Sequence, residues 1–242
     1  AIIENNDNKS IYNNDTGFLS NADILSHDIF TEEISNKFPN DDIFSEEGDK
    51  SLFDKKKISD YSWIIDPICG TTNYLYRIPF YSHSLSLLHK NSVIAVGVYD
   101  PSRNEMFFSD GNSFFINNKK FVLSNDKDLS ESLISFNTNQ SNFDDPNYSL
   151  QALLNKIAPP VCRRIHVFES ANLELAYVAA GRLDAYFNPQ DKPWDIAAAQ
   201  IFMRTAKGSL KVFHNEDQSI FKQKGILAAG SDKIGSQILA LL

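Results

Sequence analysis

The chain has 242 residues, of which 42% are apolar and 22% charged, and its formal net charge is −8. It is long enough to bury a substantial core, in one domain or in two closely packed halves. Because its longest basic run is only Lys55-Lys56-Lys57, the electrostatics argue against a nucleic-acid footprint, and we expect no nucleic-acid partner.

The first predicted elements are a helix and a short strand that leads into acidic residues. Ser20 can cap a helix over about 21–38, in which Leu25, Ile29 and Ile34 form part of an apolar stripe. A short strand over 42–44 follows, and Ser45-Glu46-Glu47-Gly48 comes directly after it. Taken alone, the Glu pair is typical of a solvated acidic loop.

Residues 63–73, WIIDPICGTTN, carry a strand followed by a turn. Pro67 breaks the apolar run after Asp66, so Asp66 lies at the mouth of the strand. Gly70-Thr71-Thr72 permits a tight turn whose N–H groups point at one place, and a helix that starts there adds its positive end. The pattern predicts a phosphate-binding turn with a carboxylate at its edge, although an Asp-Pro turn alone is more often ordinary loop chemistry.

The remaining elements divide into two groups. Residues 80–121 alternate short strands with turn signals, which predicts an antiparallel meander. A segment near 137–147, rich in Asn, Asp and Ser, is predicted to separate an N-terminal metal-binding α+β half (1–140) from a C-terminal α/β half (141–242) within one compact unit. The second half is predicted to alternate helices at 148–157, 170–180, 195–208 and after Ser231 with strands at 161–167, 183–187, 209–213 and 225–229.

A third acidic position opens the helix after Pro193-Trp194. Asp195 stands in the first turn of the apolar segment IAAAQIFM, where Asp is a common helix cap. A hard cation such as Mg²⁺ needs a few carboxylates that converge from separate elements. Glu46, Asp66 and Asp195 could supply them.

The apolar stretches and the cysteines indicate in which compartment the protein is expected. No apolar stretch approaches the ~20 residues of a membrane-spanning helix, so we expect no membrane partner. Cys69 and Cys162 are too few for a disulfide scaffold and fit a reducing compartment. We therefore expect a cytoplasmic protein.

Together these segments resemble the inositol monophosphatase family of Mg²⁺-dependent, lithium-sensitive phosphatases. The family's Glu-Glu pair, its Asp-Pro-Ile-Asp-Gly-Thr-Thr-Asn turn and its Trp-Asp helix start are matched by SEEG at 45–48, DPICGTTN at 66–73 and WDIAAA at 194–199. The similarity extends from about residue 21 to the C-terminus. It implies an α/β (α+β) fold, the layered αβαβα sandwich shared with fructose-1,6-bisphosphatase, and a homodimer.

The resemblance also implies residue roles, with two or three Mg²⁺ ions as cofactors and Mn²⁺ as an alternative. The implied metal ligands are Glu46, Asp66, the Ile68 carbonyl, Cys69, Asp195 and Asp23. Glu46 would bind the first cation and, with Thr71, orient the attacking water, whereas Asp66 would bridge two cations and be the third catalytic residue. Asp23 would support a nearby, more weakly bound cation. The implied substrate contacts are Gly70, Thr71, Thr72, Glu169, Ser170, Ala171 and Asn188.

Three positions depart from the family pattern. Cys69 replaces the second turn aspartate, and because a thiol is a soft ligand with a pKa near ~8.5, the second cation should bind less well. The alternatives are an enzyme that needs high Mg²⁺ or Mn²⁺, a site retuned to Zn²⁺, or a catalytically poor relative. Glu169 stands where the family has the Gly of a Gly-Ser or Gly-Thr pair, and Asn188 replaces a Glu that binds an inositol hydroxyl.

The beginning of the chain is another departure. The resemblance predicts a long amphipathic helix ahead of Asp23, but only Ala1-Ile2-Ile3 and the polar run ENNDNKSIYNND stand there. The chain starts with Ala, not Met. We therefore expect that it follows a missing segment or has lost an initiator Met, the other option being that this helix is absent.

The leading functional hypothesis is a metal-dependent phosphatase that uses metal-activated water on a small phosphorylated metabolite, an inositol monophosphate or a related sugar or polyol phosphate. One alternative is a catalytically impaired phosphatase-like protein that acts by binding, since some bacterial relatives are implicated in transcription complexes independently of catalysis. Another is a 3′(2′),5′-bisphosphate nucleotidase or a fructose-1,6-bisphosphatase-type enzyme. Residues 76–80 resemble the inositol branch more.

Overall fold

The computed structural model describes residues 10–13, 17–54, 58–124, 126–137, 150–213, 220–223 and 225–242. A hairpin of β1 (Ser10–Asn13) and β2 (Gly17–Ser20) leads into the first helix. The helices are α1 (Asn21–Lys37), α2 (Thr71–Leu75), α3 (Leu150–Ile157), α4 (Ala171–Ala179), α5 (Pro193–Ala206) and α6 (Asp232–Leu239).

A seven-stranded sheet is built from consecutive strands, with only its first pair parallel. Its strands, in spatial order, are β3 (Asp42–Ser45), β4 (Tyr61–Cys69), β5 (Ser82–His89), β6 (Ser92–Asp100), β7 (Glu105–Ser109), β8 (Phe114–Ile116) and β9 (Lys119–Phe121). All pairs from β4 to β9 are antiparallel, which confirms the predicted meander.

A five-stranded mixed sheet forms the second β layer. Its strands are β10 (Leu133–Phe136), β11 (Arg164–His166), β12 (Ala185–Asn188), β13 (Ser209–Val212) and β14 (Ile226–Ala229). The spatial order is β11-β10-β12-β14-β13, with β10 parallel to both neighbours and β14 antiparallel to both of its own.

The helices form layers outside and between these sheets. The helices α4 and α5 lie between the sheets, and their apolar residues share one core with residues of both. On the outer face of the five-stranded sheet, Ile234 and Ile238 of α6 pack with Ile134, Phe136 and Leu227. The helix α1 packs along β4. The predicted αβαβα sandwich is confirmed.

Some of the predictions concern residues outside those that the structure describes. The predicted junction at 137–147 lies almost wholly outside them, so the division into halves 1–140 and 141–242 stays a prediction. Residues 1–9 also lie outside, and a β-hairpin, not a helix, directly precedes α1. Among the described helices, none combines the length and hydropathy needed to cross a bilayer.

Candidate active site

Three elements bring the predicted acidic residues together. Glu46 directly follows β3, and its N–H donates to the Ile65 carbonyl at 3.0 Å, so the parallel pairing of β3 with β4 places Glu46 beside Asp66. Asp195 lies in the first turn of α5, whose N-terminus faces the same place. One ligand atom each of Asp66, Cys69 and Asp195 lie within 4.8 Å of one another.

The prediction that the strand ends at Asp66 is wrong, because β4 continues through a bulge at Pro67 to Cys69 and the turn follows it. Pro67 has no N–H to donate, and the pairing of β4 with β5 shifts register between Asp66 and Cys69. Gly70 follows at φ 96°, and a Cβ there would lie 3.1 Å from the Glu169 carbonyl oxygen. Only glycine therefore suits this position, from which α2 begins.

The acidic side chains raise one another's pKa values. Burial raises the pKa of Glu46 to about 7, with repulsion from Asp195 next in size. Burial and then the Glu46 charge raise the pKa of Asp66 well above its ordinary value, and burial raises the pKa of Asp195 to about 7. Although Glu46 and Asp195 are partly exposed as residues, their carboxyl groups lie inside the cleft. Lys50 and Lys192 lower the pKa values of Glu46 and Asp195, respectively, but burial outweighs both.

The side of the cluster nearest β3 fits a divalent cation. Asp66 is 1% exposed, and its Oδ1 is buried without an amide or hydroxyl donor, while the Glu46 and Asp66 carboxyls lie close enough to share a proton. An orphaned buried carboxylate oxygen is unfavourable, and a hard cation is the ligand it suits. We call Glu46, Asp66, the Ile68 carbonyl and Thr71 the first-cation side.

Thr71 connects this side to α1. Its Oγ1 lies 3.0 Å from Oδ1 of Asp23 and 3.1 Å from the Ile68 carbonyl oxygen. The other Asp23 oxygen accepts from the N–H of Ser20 at 2.8 Å and from its hydroxyl at 2.5 Å, and burial raises the Asp23 pKa. Because protein donors contact both oxygens, the assignment of Asp23 to a further cation stays a prediction.

The second-cation side consists of Asp66, Cys69, Asp195 and Asn172. The Cys69 thiol accepts from the N–H of Asn172 at 3.3 Å, and burial raises the thiol pKa well above its ordinary value. The Asn172 amide nitrogen lies 2.9 Å from Oδ2 of Asp66 and 3.4 Å from Oδ1 of Asp195. A neutral thiol and an amide donor do not suit Mg²⁺, so this side fits a cation poorly.

Asn172 is the residue that the sequence analysis missed. It stands two residues after Ser170, in the first turn of a helix that is otherwise mostly apolar. A polar residue in such a turn is a weak signal. Only the packing of α4 against β4 shows what it contacts.

The predicted substrate residues divide by exposure. Gly70 and Thr71 are partly exposed and Thr72 is exposed, so the start of α2 faces the cleft. Ser170 and Ala171 are buried, and the Ser170 hydroxyl donates to the Cys69 carbonyl at 2.8 Å. These substrate assignments stay predictions.

Glu169 and Asn188, the two predicted substrate residues that depart from the family pattern, differ in setting. Glu169 is partly exposed at φ 59°, a left-handed conformation that favours glycine. Asn188 is buried, its amide donates to Asp191, and its Oδ1 accepts from the N–H of Gln190 at 3.0 Å. The substrate roles of both residues also stay predictions.

Comparison with known proteins agrees with this geometry. The model of the Inositol monophosphatase family matches residues 3–242. The chain belongs to this family.

Similar proteins carry different names. The chain is 32% identical over 225 residues to the Nus factor SuhB of Pasteurella multocida, covering 92% of this chain and 81% of that protein. It is 31% identical over 219 residues to the fructose-1,6-bisphosphatase/inositol-1-monophosphatase of Thermotoga maritima, covering 89% and 80%. The crystal structure of the suppressor protein suhB from Bartonella henselae superposes with a TM-score of 0.84 at 27% identity, covering 97% and 88%.

Proposed function

We propose that this protein is a metal-dependent phosphatase that hydrolyses a small phosphomonoester, such as an inositol, sugar or polyol phosphate. The observation that carries the proposal is the orphaned Asp66 oxygen beside Glu46 and the Gly70-Thr71 turn. Family membership supports the reaction class, and the relatives' names include both phosphatases and a Nus factor.

The residues that would hold the first cation are Glu46, Asp66 and the Ile68 carbonyl. When bound, divalent cations supply positive charge that neutralises the phosphate and the departing alkoxide. Mg²⁺ is the expected ion and Mn²⁺ the alternative, because carboxylate and carbonyl oxygens suit both.

The protein's own groups position the phosphate and the water. The N–H groups of Gly70 and Thr71, and those of the first turn of α2, hold the phosphate oxygens. Water attacks phosphorus as the phosphorus–alkoxide bond breaks. The Thr71 hydroxyl, held by Asp23, orients this water and passes its proton to the Asp23 carboxylate, while the alkoxide takes a proton from solvent.

Phosphate release from a panel of phosphomonoesters, at increasing Mg²⁺ and Mn²⁺, tests this function. We expect metal-dependent release that Li⁺ inhibits, and greater release from Cys69→Asp at low Mg²⁺. Absence of turnover in both proteins at every metal concentration would overturn the proposal.

A second candidate is a phosphatase-like protein that acts by binding. The observations that favour it are the neutral Cys69 thiol, the Asn172 amide within the cluster, and the Nus factor name of a relative. Calorimetry with Mg²⁺ and inorganic phosphate separates the candidates, because joint tight binding of both is expected only of a working site.

A further inference from the structure

The side chain of Asn172 lies in the middle of the second-cation side. Asn172 is wholly buried, and its backbone N–H is fixed on the Cys69 sulfur at 3.3 Å. From there its amide nitrogen reaches Asp66 at 2.9 Å and Asp195 at 3.4 Å. One NH₂ group therefore links the two carboxylates that a shared cation would have to bind.

A cation and this NH₂ group cannot occupy the position together. Mg²⁺ lies about 2.0–2.1 Å from its oxygen ligands. An ion bound to these Asp66 and Asp195 oxygens on the side where the amide lies would overlap its nitrogen, which is 2.9 Å and 3.4 Å from them. The amide must therefore move before such an ion can bind.

Once the amide has moved, the other groups on this side offer a cation few good ligands. Cys69 offers a soft sulfur where Mg²⁺ needs a hard oxygen. Two carboxylates remain as hard ligands on this side. On the first-cation side, by contrast, Asp66 Oδ1 has no amide or hydroxyl donor, so a cation there displaces only the proton that the Glu46 and Asp66 carboxyls share.

We infer that the Asn172 amide is a built-in occupant of the second cation position, so that this protein binds one divalent cation tightly and a second only when the amide is displaced. This inference rests on the proposed function only for the identity of the site. It makes Asn172 a determinant of metal stoichiometry, together with Cys69.

Calorimetric titration of the metal-free protein with Mn²⁺ tests the inference in a double-mutant cycle. The proteins are wild type, Asn172→Ala, Cys69→Asp and the double variant. We expect wild type to bind one Mn²⁺ tightly. Each single variant should bind a second Mn²⁺ about tenfold more tightly than wild type does. In the double variant, the gain in affinity for the second Mn²⁺ should exceed the product of the two single gains. Asn172→Ser, which keeps a small donor, provides a milder variant should the alanine protein fold poorly.

The opposite results would overturn the inference. If Cys69→Asp alone binds as tightly as the double variant, Asn172 does not obstruct the cation. If Asn172→Ala or Asn172→Ser weakens Mn²⁺ binding, the amide is a metal ligand through its oxygen.

Thermal unfolding provides a second readout that does not depend on turnover. Without metal, Asn172→Ala should have a lower Tm than wild type, because Asp66 and Asp195 lose their donor. Added Mn²⁺ should raise the Tm of Asn172→Ala more than that of wild type. Equal Mn²⁺ shifts in the two proteins would contradict the inference.

Asn73→Ala is the matched control. Asn73 is also buried, and its amide donates to the Phe80 carbonyl at 2.7 Å and to that of Phe168 at 2.5 Å, away from the carboxylates. Its loss should lower the Tm without changing the Mn²⁺ shift. If no variant releases phosphate but the Mn²⁺ affinities change as expected, the proposed function fails and this inference stands. If the proteins release phosphate but their Mn²⁺ affinities do not differ, the proposed function stands and this inference fails.

Discussion

The two sides of the acidic cluster share Asp66 but are prepared for different occupants. On the first-cation side, an Asp66 oxygen is buried without an amide or hydroxyl donor, and the Glu46 carboxyl lies against Asp66. On the second-cation side, the other Asp66 oxygen already accepts a hydrogen bond from Asn172. Neighbouring ligand positions in one cluster can therefore differ in cation affinity because of a single neutral donor, even though the acids around them have similarly raised pKa values.

Glu46→Gln against Asp195→Asn gives the largest expected difference between the sides. We expect Glu46→Gln to reduce phosphate release at least about 100-fold. The loss in Asp195→Asn should be about ten times smaller, because the second cation is weakly held already. Steady-state kinetics at saturating Mg²⁺ measures both, and Glu33→Gln on the exposed face of α1 is the control. Equal losses from Glu46 and Asp195 would break the comparison.

Thr71→Val tests the role of the Thr71 hydroxyl on the first-cation side. The substitution keeps the shape of the side chain and removes the hydroxyl that contacts Asp23. We expect kcat to fall about 100-fold while Mn²⁺ affinity, measured by calorimetry, stays unchanged. Thr71→Ser, which keeps the hydroxyl, should retain most of the activity. Loss of Mn²⁺ binding in the valine variant would place Thr71 in the metal site instead.

Glu174→Gln tests how the helix that carries Asn172 depends on pH. Burial raises the pKa of Glu174 from 4.5 to about 8, so the folded protein keeps a proton that the unfolded chain loses. The free energy of unfolding therefore falls as pH rises from about 4.5 to about 8, by on the order of 5 kcal/mol.

Glutamine has no such proton, and its oxygen can still accept from the Ser170 N–H. The Tm of Glu174→Gln relative to wild type should therefore rise from about pH 5 to about pH 8. A Tm difference that stays constant across this range would contradict a buried, protonated Glu174.

Glu169→Gly has the smallest expected effect and probes the loop that leads into α4. A left-handed conformation costs a non-glycine residue roughly 1–2 kcal/mol, and the extra chain entropy of glycine returns about 0.5–1 kcal/mol of this. We expect Glu169→Gly to stabilise the protein by up to about 1 kcal/mol in urea unfolding. Glu169→Ala removes the charge but keeps the conformational cost, so equal stabilisation by both variants would point to the carboxylate.

The order of helices and strands was predictable because its signals are local. Ser20 capped α1 as predicted, although Leu25 and Ile29 of the predicted apolar stripe are exposed. Gly70 marked the turn after β4, and Gly181 ended α4 with φ 69°. The spacing of three short motifs was enough to identify the family. The meander was also predictable, because Asn, Asp and Gly residues mark the turns between its strands.

The surroundings of each ligand were not predictable in the same way. That Asn172 reaches Asp66, that Thr71 meets Asp23, and that Asn188 bonds to Asp191 are contacts between different elements or across a turn. Their geometry depends on how α4 and α5 pack between the sheets.

The amino-acid sequence alone shows which side chains can bind cations and that Cys69 departs from a hard-ion site. Folding leaves one oxygen of Asp66 without an amide or hydroxyl donor and bonds the other to the Asn172 amide. The physical reason is that side-chain chemistry belongs to each residue, whereas hydrogen-bond partners and desolvation belong to the packed assembly of residues distant along the chain.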